Sequence, residues 1–169
     1  LADTVEAVHN HGVIHRDLKP SNILVDQDGQ VLVVDWGIAK ILNREQIYET
    51  DDREIEPVVT RRQMTNSEFT QPGAITGPPN YMSLEQALSQ LDDVDQRSDV
   101  YALGAILYKL LCGQPPYGRG PTFGLLMRIA KGAPTPIEEL VTHPVPEVLL
   151  KICRKAMRRE RAERFADAG

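Results

Sequence analysis

Leu1, Val5 and Val8 recur at helical spacing, and Gly12 follows where a left-handed cap residue belongs, so the chain opens on a short helix. His9 and His11, near its end, read as surface or capping residues; a metal pair would need further ligands, and the neighbouring sequence offers none. Two apolar, β-branched runs follow, Ile23-Leu24-Val25 and Val31-Leu32-Val33-Val34, around Asp28-Gly29. That pattern predicts a hairpin. From Leu42 to Gly73 the periodicity is lost in a polar, charged stretch that reads as a long mobile loop. Ser83-Leu84-Glu85-Gln86 has the form of a capping box, with Ser83 as N-cap and Gln86 at the third helical position, predicting a short helix to about Gln90.

The most strongly apolar segment comes next. Asp95 to Asp99 opens it, Gly113 stops it, and Val100, Leu103, Ile106, Leu107, Leu110 and Leu111 leave little polar surface between. A helix over about 96–112 that is apolar on most faces is a buried central one. A rigid loop, Gln114-Pro115-Pro116-Tyr117-Gly118, leads to a helix from about Pro121 to Lys131, ended by Gly132 and Pro134. A last helix spans about 146–158, with Leu149, Ile152, Cys153 and Ala156 on one face. After the hairpin everything is helix and loop, so the fold class is mainly α with one small β-hairpin.

The hairpin carries the candidate chemistry. With Asp28-Gly29 as a two-residue turn, 27 pairs with 30, 26 with 31, and 22 with 35. Asn22 and Asp35 then stand opposite each other on one face, about 5 Å apart at Cβ. An amide oxygen and a carboxylate at that spacing suit a hard divalent cation such as magnesium. Asp17 lies in the loop entering the hairpin and approaches the same point. A slip of one residue would put Asn22 and Asp35 on opposite faces.

His15-Arg16-Asp17-Leu18-Lys19-Pro20-Ser21-Asn22 resembles the H-R-D-L-x-x-x-N catalytic loop of protein kinases at every specified position, and Asp35-Trp36-Gly37 resembles D-F-G at two of three. The resemblance covers nearly the whole chain and is to bacterial, eukaryote-like serine/threonine kinases. It implies a kinase C-lobe, with the catalytic loop at 15–22, the metal-binding Asp-Trp-Gly at 35–37, an activation segment over 35–85, the central helix, and C-terminal helices over about 121–158. It implies ATP and Mg2+ as cofactors and protein serine or threonine hydroxyls as substrate. Asp17 would orient the incoming hydroxyl, Lys19 would stabilise the transferred phosphate, and Asn22 and Asp35 would hold metal. His15 and Trp36 correspond to an apolar stack joining the two kinase lobes, Trp36 being larger than the usual Phe and having an N–H to satisfy. Arg16 matches the arginine that grips a phosphate on the activation segment, and Thr70 and Thr76 are among the hydroxyls of that segment. Asp99 matches the aspartate that holds the catalytic loop's backbone, with helix capping as the other reading of its place. Glu85 resembles the Glu of A-P-E and Arg164 its distant partner.

Two features depart from the pattern. Gly77-Pro78-Pro79-Asn80-Tyr81-Met82-Ser83-Leu84-Glu85 stands where the family reads G-T-P-x-Y-M-A-P-E, so Pro78 replaces the threonine that contacts the catalytic Asp and Lys. No V-A-I-K lysine or glycine-rich ATP loop is present; Gly118, Gly120 and Gly124 follow the catalytic loop at the wrong spacing. The N-lobe is therefore an expected partner in cis, absent from these residues. The rival from another class is a pseudokinase scaffold, favoured by Pro78; a small-molecule kinase fits the long segment less well.

Composition narrows this further. A chain of 169 residues, 41% hydrophobic and 25% charged, is long enough for one domain with a real core. A net charge of −5 argues against nucleic acid as a partner. The basic stretch 151–164 reads as a solvated helix end. Cys112 and Cys153 sit in helical apolar patterns as reduced core residues. No apolar run reaches transmembrane length, so a cytoplasmic location is expected, any membrane anchor of the parent lying outside these residues.

Overall fold

A computed structural model describes residues 1–42 and 79–169. Among the described residues five α-helices and four short strands lie in this order: α1 (Ala2–His9), β1 (Val13–Ile14), β2 (Ile23–Val25), β3 (Val31–Val33), β4 (Lys40–Ile41), α2 (Leu84–Ala87), α3 (Gln96–Cys112), α4 (Thr122–Lys131) and α5 (Glu147–Ala156). The strands form two antiparallel pairs, β1 with β4 and β2 with β3. The expected mainly helical class holds, with a second small β pair that the sequence pattern did not suggest.

Helix α3 is the axis of the core. Asp95 caps it through a side chain that accepts from the Arg97 N–H, and Gly113 ends it in the left-handed conformation at φ 79°. Tyr101, Ala105 and Tyr108, spaced at i, i+4 and i+7, pack with Ile137, Cys153 and Met157 on one side. Ala102 and Ile106 face the other way, onto Val5, Leu18 and Val33. The second cluster joins α1, the loop before β2, and β3, so the helix that centres the core also supports the candidate chemistry. Gly104 lets α5 approach, because a Cβ there would stand 2.8 Å from both Ala156 Cβ and Met157 Cγ. Not all of α3 is buried as expected: Leu110 is 76% exposed.

The hairpin forms with a different turn from the one expected. Ile23 pairs with Val33, Leu24 with Leu32 and Val25 with Val31. Asp26 N–H then bonds Gln30 O (3.1 Å), leaving a three-residue loop with Gly29 at φ 79°. The Asp26 carboxylate sets this choice. Its Oδ1 accepts from the Asp28 and Gln30 N–H groups at 2.9 and 2.8 Å, an arrangement a two-residue turn would not allow. The pairing of 22 with 35 is therefore overturned. Asn22 lies in a 3-10 turn, Pro20–Asn22, and its carbonyl accepts from Val34 N–H at 2.9 Å. Asp35 lies beyond the ladder, at φ 66°.

Three smaller expectations also shift. Helix α1 ends at His9 with Asn10 as its cap, and Gly12 stands two residues past the cap in a turn at φ 70°. Helix α2 stops at Ala87, three residues early, and Leu88 and Ser89 turn the chain, Ser89 at φ 56°. Helix α5 is slightly shorter than expected, and Ile152 on its supposed inner face is 41% exposed. Cys112 and Cys153 are free thiols, and burial, with a smaller push from Cys112, raises the Cys153 thiol to about 12. Among the described residues no helix is long and apolar enough to cross a membrane.

Candidate active site

Asp99 is the foundation of the site. It is buried in the first turn of α3, where Asp95 already serves as the cap, so its carboxylate is free to act elsewhere. Oδ2 accepts from His15 N–H and Oδ1 from Arg16 N–H, each at 2.8 Å. This matches the expected grip on the loop's backbone. His9 corrects an expectation: it is buried, not on the surface, and its Nε2 lies 2.9 Å from Asp99 Oδ2. Its position four residues after Val5, on the face of α1 that enters the core, was the available signal. His11 does act as a cap, through Nδ1 to Ala7 O at 2.7 Å.

On this foundation the loop is held in an unusual shape. Arg16 has φ 70°, in the left-handed region that a long side chain rarely occupies. The next peptide unit is pinned at both ends. Arg16 O accepts from Gln86 Nε2 at 2.7 Å, and Asp17 N–H donates to His15 Nδ1 at 3.2 Å. Because Nδ1 accepts, the His15 proton sits on Nε2, which donates to Val34 O at 3.1 Å. His15 thus ties the loop to the end of the hairpin, and its ring stands 4.5 Å from that of Trp36. Trp36 is partly exposed, and its indole N–H is satisfied by Val33 O at 3.1 Å.

Asp17, Lys19 and Asn22 come together on this scaffold, Asn22 buried and the other two half-buried. Lys19 Nζ lies 2.6 Å from Asp17 Oδ2. Asn22 Nδ2 donates to Asp17 O at 2.9 Å and to Asp17 Oδ2 at 3.2 Å. The Asn22 amide is thereby oriented with its NH2 toward Asp17, and its Oδ1, which accepts from Ser21 Oγ at 3.5 Å, is the atom that could meet a cation. Asp35 follows the hairpin, and a Cβ on Gly37 would stand 3.4 Å from its Oδ1, an ordinary contact. Burial pushes the Arg16 guanidinium below its ordinary range, with Asp99 offsetting part of that shift; it remains a cation at any working pH.

Glu85 and Arg164 meet as the sequence suggested. Arg164 Nη1 bonds Glu85 Oε1 at 2.7 Å and Nη2 bonds Oε2 at 3.0 Å, both residues being buried. Ser98 Oγ adds a bond to Glu85 Oε1 at 2.7 Å, which sequence reasoning missed. Burial pushes the Glu85 carboxyl up, but the bonds and charge of Arg164 and the Ser98 hydroxyl outweigh it, and the group titrates at about 2. Ser83 and Gln86 close the expected capping box of α2. The basic stretch is less solvated than expected. Arg159 binds the Ile129 and Ala130 carbonyls at 2.9 and 2.6 Å, and Lys155 covers the Phe165 ring at 4.2 Å. Thr70, Thr76 and Pro78 lie outside the described residues.

The chain matches the protein kinase domain family over residues 1–166. It is 36% identical over 166 residues to the serine/threonine-protein kinase PknD of Chlamydia muridarum, covering 98% of this chain and 17% of that protein. It is 34% identical over 168 residues to the probable serine/threonine-protein kinase PknB of Bifidobacterium longum, covering 99% of this chain and 21% of that protein. The chain thus spans about a fifth or less of the length of these curated relatives. The match runs through residues 15–22, the hairpin and the helices that carry them, and the chain belongs to the protein kinase domain family.

Proposed function

We propose that the chain is the helical C-lobe of a serine/threonine protein kinase that transfers the γ-phosphoryl group of ATP to protein hydroxyls. The observation that carries this reading is the cluster of Asp17, Lys19 and Asn22 within hydrogen-bond reach, on a peptide held by Asp99, His15 and Gln86. Phosphoryl transfer depends mostly on positioning and charge. Asp17 accepts the hydrogen bond of the incoming hydroxyl and orients its oxygen. Lys19, already 2.6 Å from Asp17, carries the positive charge toward the transferred phosphate. The donor set fits a hard cation: Asn22 offers an amide oxygen and Asp35 a carboxylate, and magnesium asks the protein for only one or two such ligands beside the phosphates. Magnesium, when bound, neutralises charge on the phosphate oxygens. Leu24, Val25, Leu32 and Ile41 are exposed apolar residues that an N-lobe would cover.

The scaffold reading draws on Pro78, which has no hydroxyl to offer where the family pattern has threonine. Incubation of the full-length protein with ATP, magnesium and a generic basic protein separates the two. Phosphoserine or phosphothreonine above the level given by an Asp17→Asn control supports the kinase; none, from a folded protein, supports the scaffold.

A further inference from the structure

Gln86 makes two sets of bonds that belong to different parts of the molecule. Its Oε1 accepts from Ser83 N–H at 3.2 Å and from the Ser83 hydroxyl at 3.1 Å, closing the capping box of α2. Its Nε2 leaves the helix and donates to Arg16 O at 2.7 Å, across 70 residues of chain. A capping box needs only the first set; glutamate would serve it equally. The second set requires an amide.

The accepting carbonyl belongs to the peptide unit between Arg16 and Asp17. The N–H of that unit is held by His15 Nδ1, and the residue before it is held in a left-handed conformation by Asp99. With both ends of a planar group bound, its rotation is stopped, and the direction in which Asp17 leaves the backbone is set. We propose that Gln86 is a positioning residue for phosphoryl transfer: it locks the Arg16–Asp17 peptide plane, and so couples α2, which begins at the end of the expected activation segment, to the aim of the Asp17 carboxylate. The proposal rests on the kinase reading above. Glu85, its neighbour, anchors α2 to Arg164, so the helix that presents Gln86 is itself fixed.

Gln86→Glu keeps the oxygen that caps Ser83 and removes the donor to Arg16; Gln86→Ala removes both. In the full-length protein Gln86→Glu should lower kcat about tenfold, the order expected when a buried acceptor loses its partner. Its KM for ATP should stay at the wild-type value and its Tm should fall, but less than in Gln86→Ala, while amide exchange at Asp17 speeds up about tenfold. Gln86→Ala should show the same losses together with a still lower Tm. Wild-type kcat or wild-type Asp17 exchange in Gln86→Glu overturns the proposal and leaves Gln86 a helix cap. If the wild-type protein transfers no phosphate, the kinase reading fails by itself. The exchange rate alone then decides the tether: faster exchange in Gln86→Glu supports it and unchanged exchange overturns it.

Discussion

A carboxylate can be worth more as an anchor than as a reagent, and Glu85 illustrates it. It sits with Arg164 in a buried, doubly hydrogen-bonded pair. Removing one partner of such a pair strands the other charge, so Glu85→Gln should cost about 3–5 kcal/mol in unfolding free energy, read by denaturant titration. The pair also dictates a pH response. The folded carboxyl titrates at about 2 against an ordinary 4.5, so the unfolded chain takes up its proton first. The stabilisation is complete above the unfolded value and is lost as pH falls from about 4.5 toward 2. Unfolding measured across that window should show a steep loss in wild type and a shallower one in Glu85→Gln. Equal slopes would place the acid sensitivity elsewhere. This pair was legible in the sequence only through family resemblance, because 79 residues separate its members and no local pattern links them. His9 was misread for a related reason: a histidine near a helix end resembles a cap, and its acceptor lies 90 residues on.

At the scale of elements, periodicity and caps placed α3 within its observed bounds, because a long apolar run between an Asp cap and a stop glycine states its own limits. The hairpin was found, but its register was not. Its turn is decided by one side chain, Asp26, whose bonds to Asp28 and Gln30 outweigh the local preference of Asp28-Gly29 for a two-residue loop. Alternation along the strands therefore does not bring Asn22 and Asp35 together as expected. Asn22 is placed by a 3-10 turn, and the backbone leaves the ladder at Asp35 with a positive φ. The α3–α5 contact offers a sharper test. A methyl at Gly104 would meet the Cβ of Ala156, which cannot swing aside as a long side chain could. Gly104→Ala should destabilise by about 1–3 kcal/mol despite the better helix propensity of alanine. A stabilised variant would mean that α5 can slide without loss.

For the whole molecule, the described residues form a helical body with a core on both sides of α3, and the candidate chemistry at the edge of the second core cluster. The hairpin and β4 expose apolar side chains, Val25 at 65%, Leu32 at 59% and Ile41 at 44%. Residues 1–169 alone should therefore show no phosphotransfer and a tendency to associate, as nothing among the described residues covers ATP. Transfer by this chain, purified and tested with ATP and magnesium, would contradict that. The central claim is that Asp17 directs the chemistry, and it is tested most directly by comparing kcat of the full-length protein with that of Asp17→Asn, which preserves size but removes the charge and turns one acceptor oxygen into a donor. The account predicts a fall of about 10²- to 10⁴-fold with Tm unchanged. Equal kcat in the two proteins would contradict it.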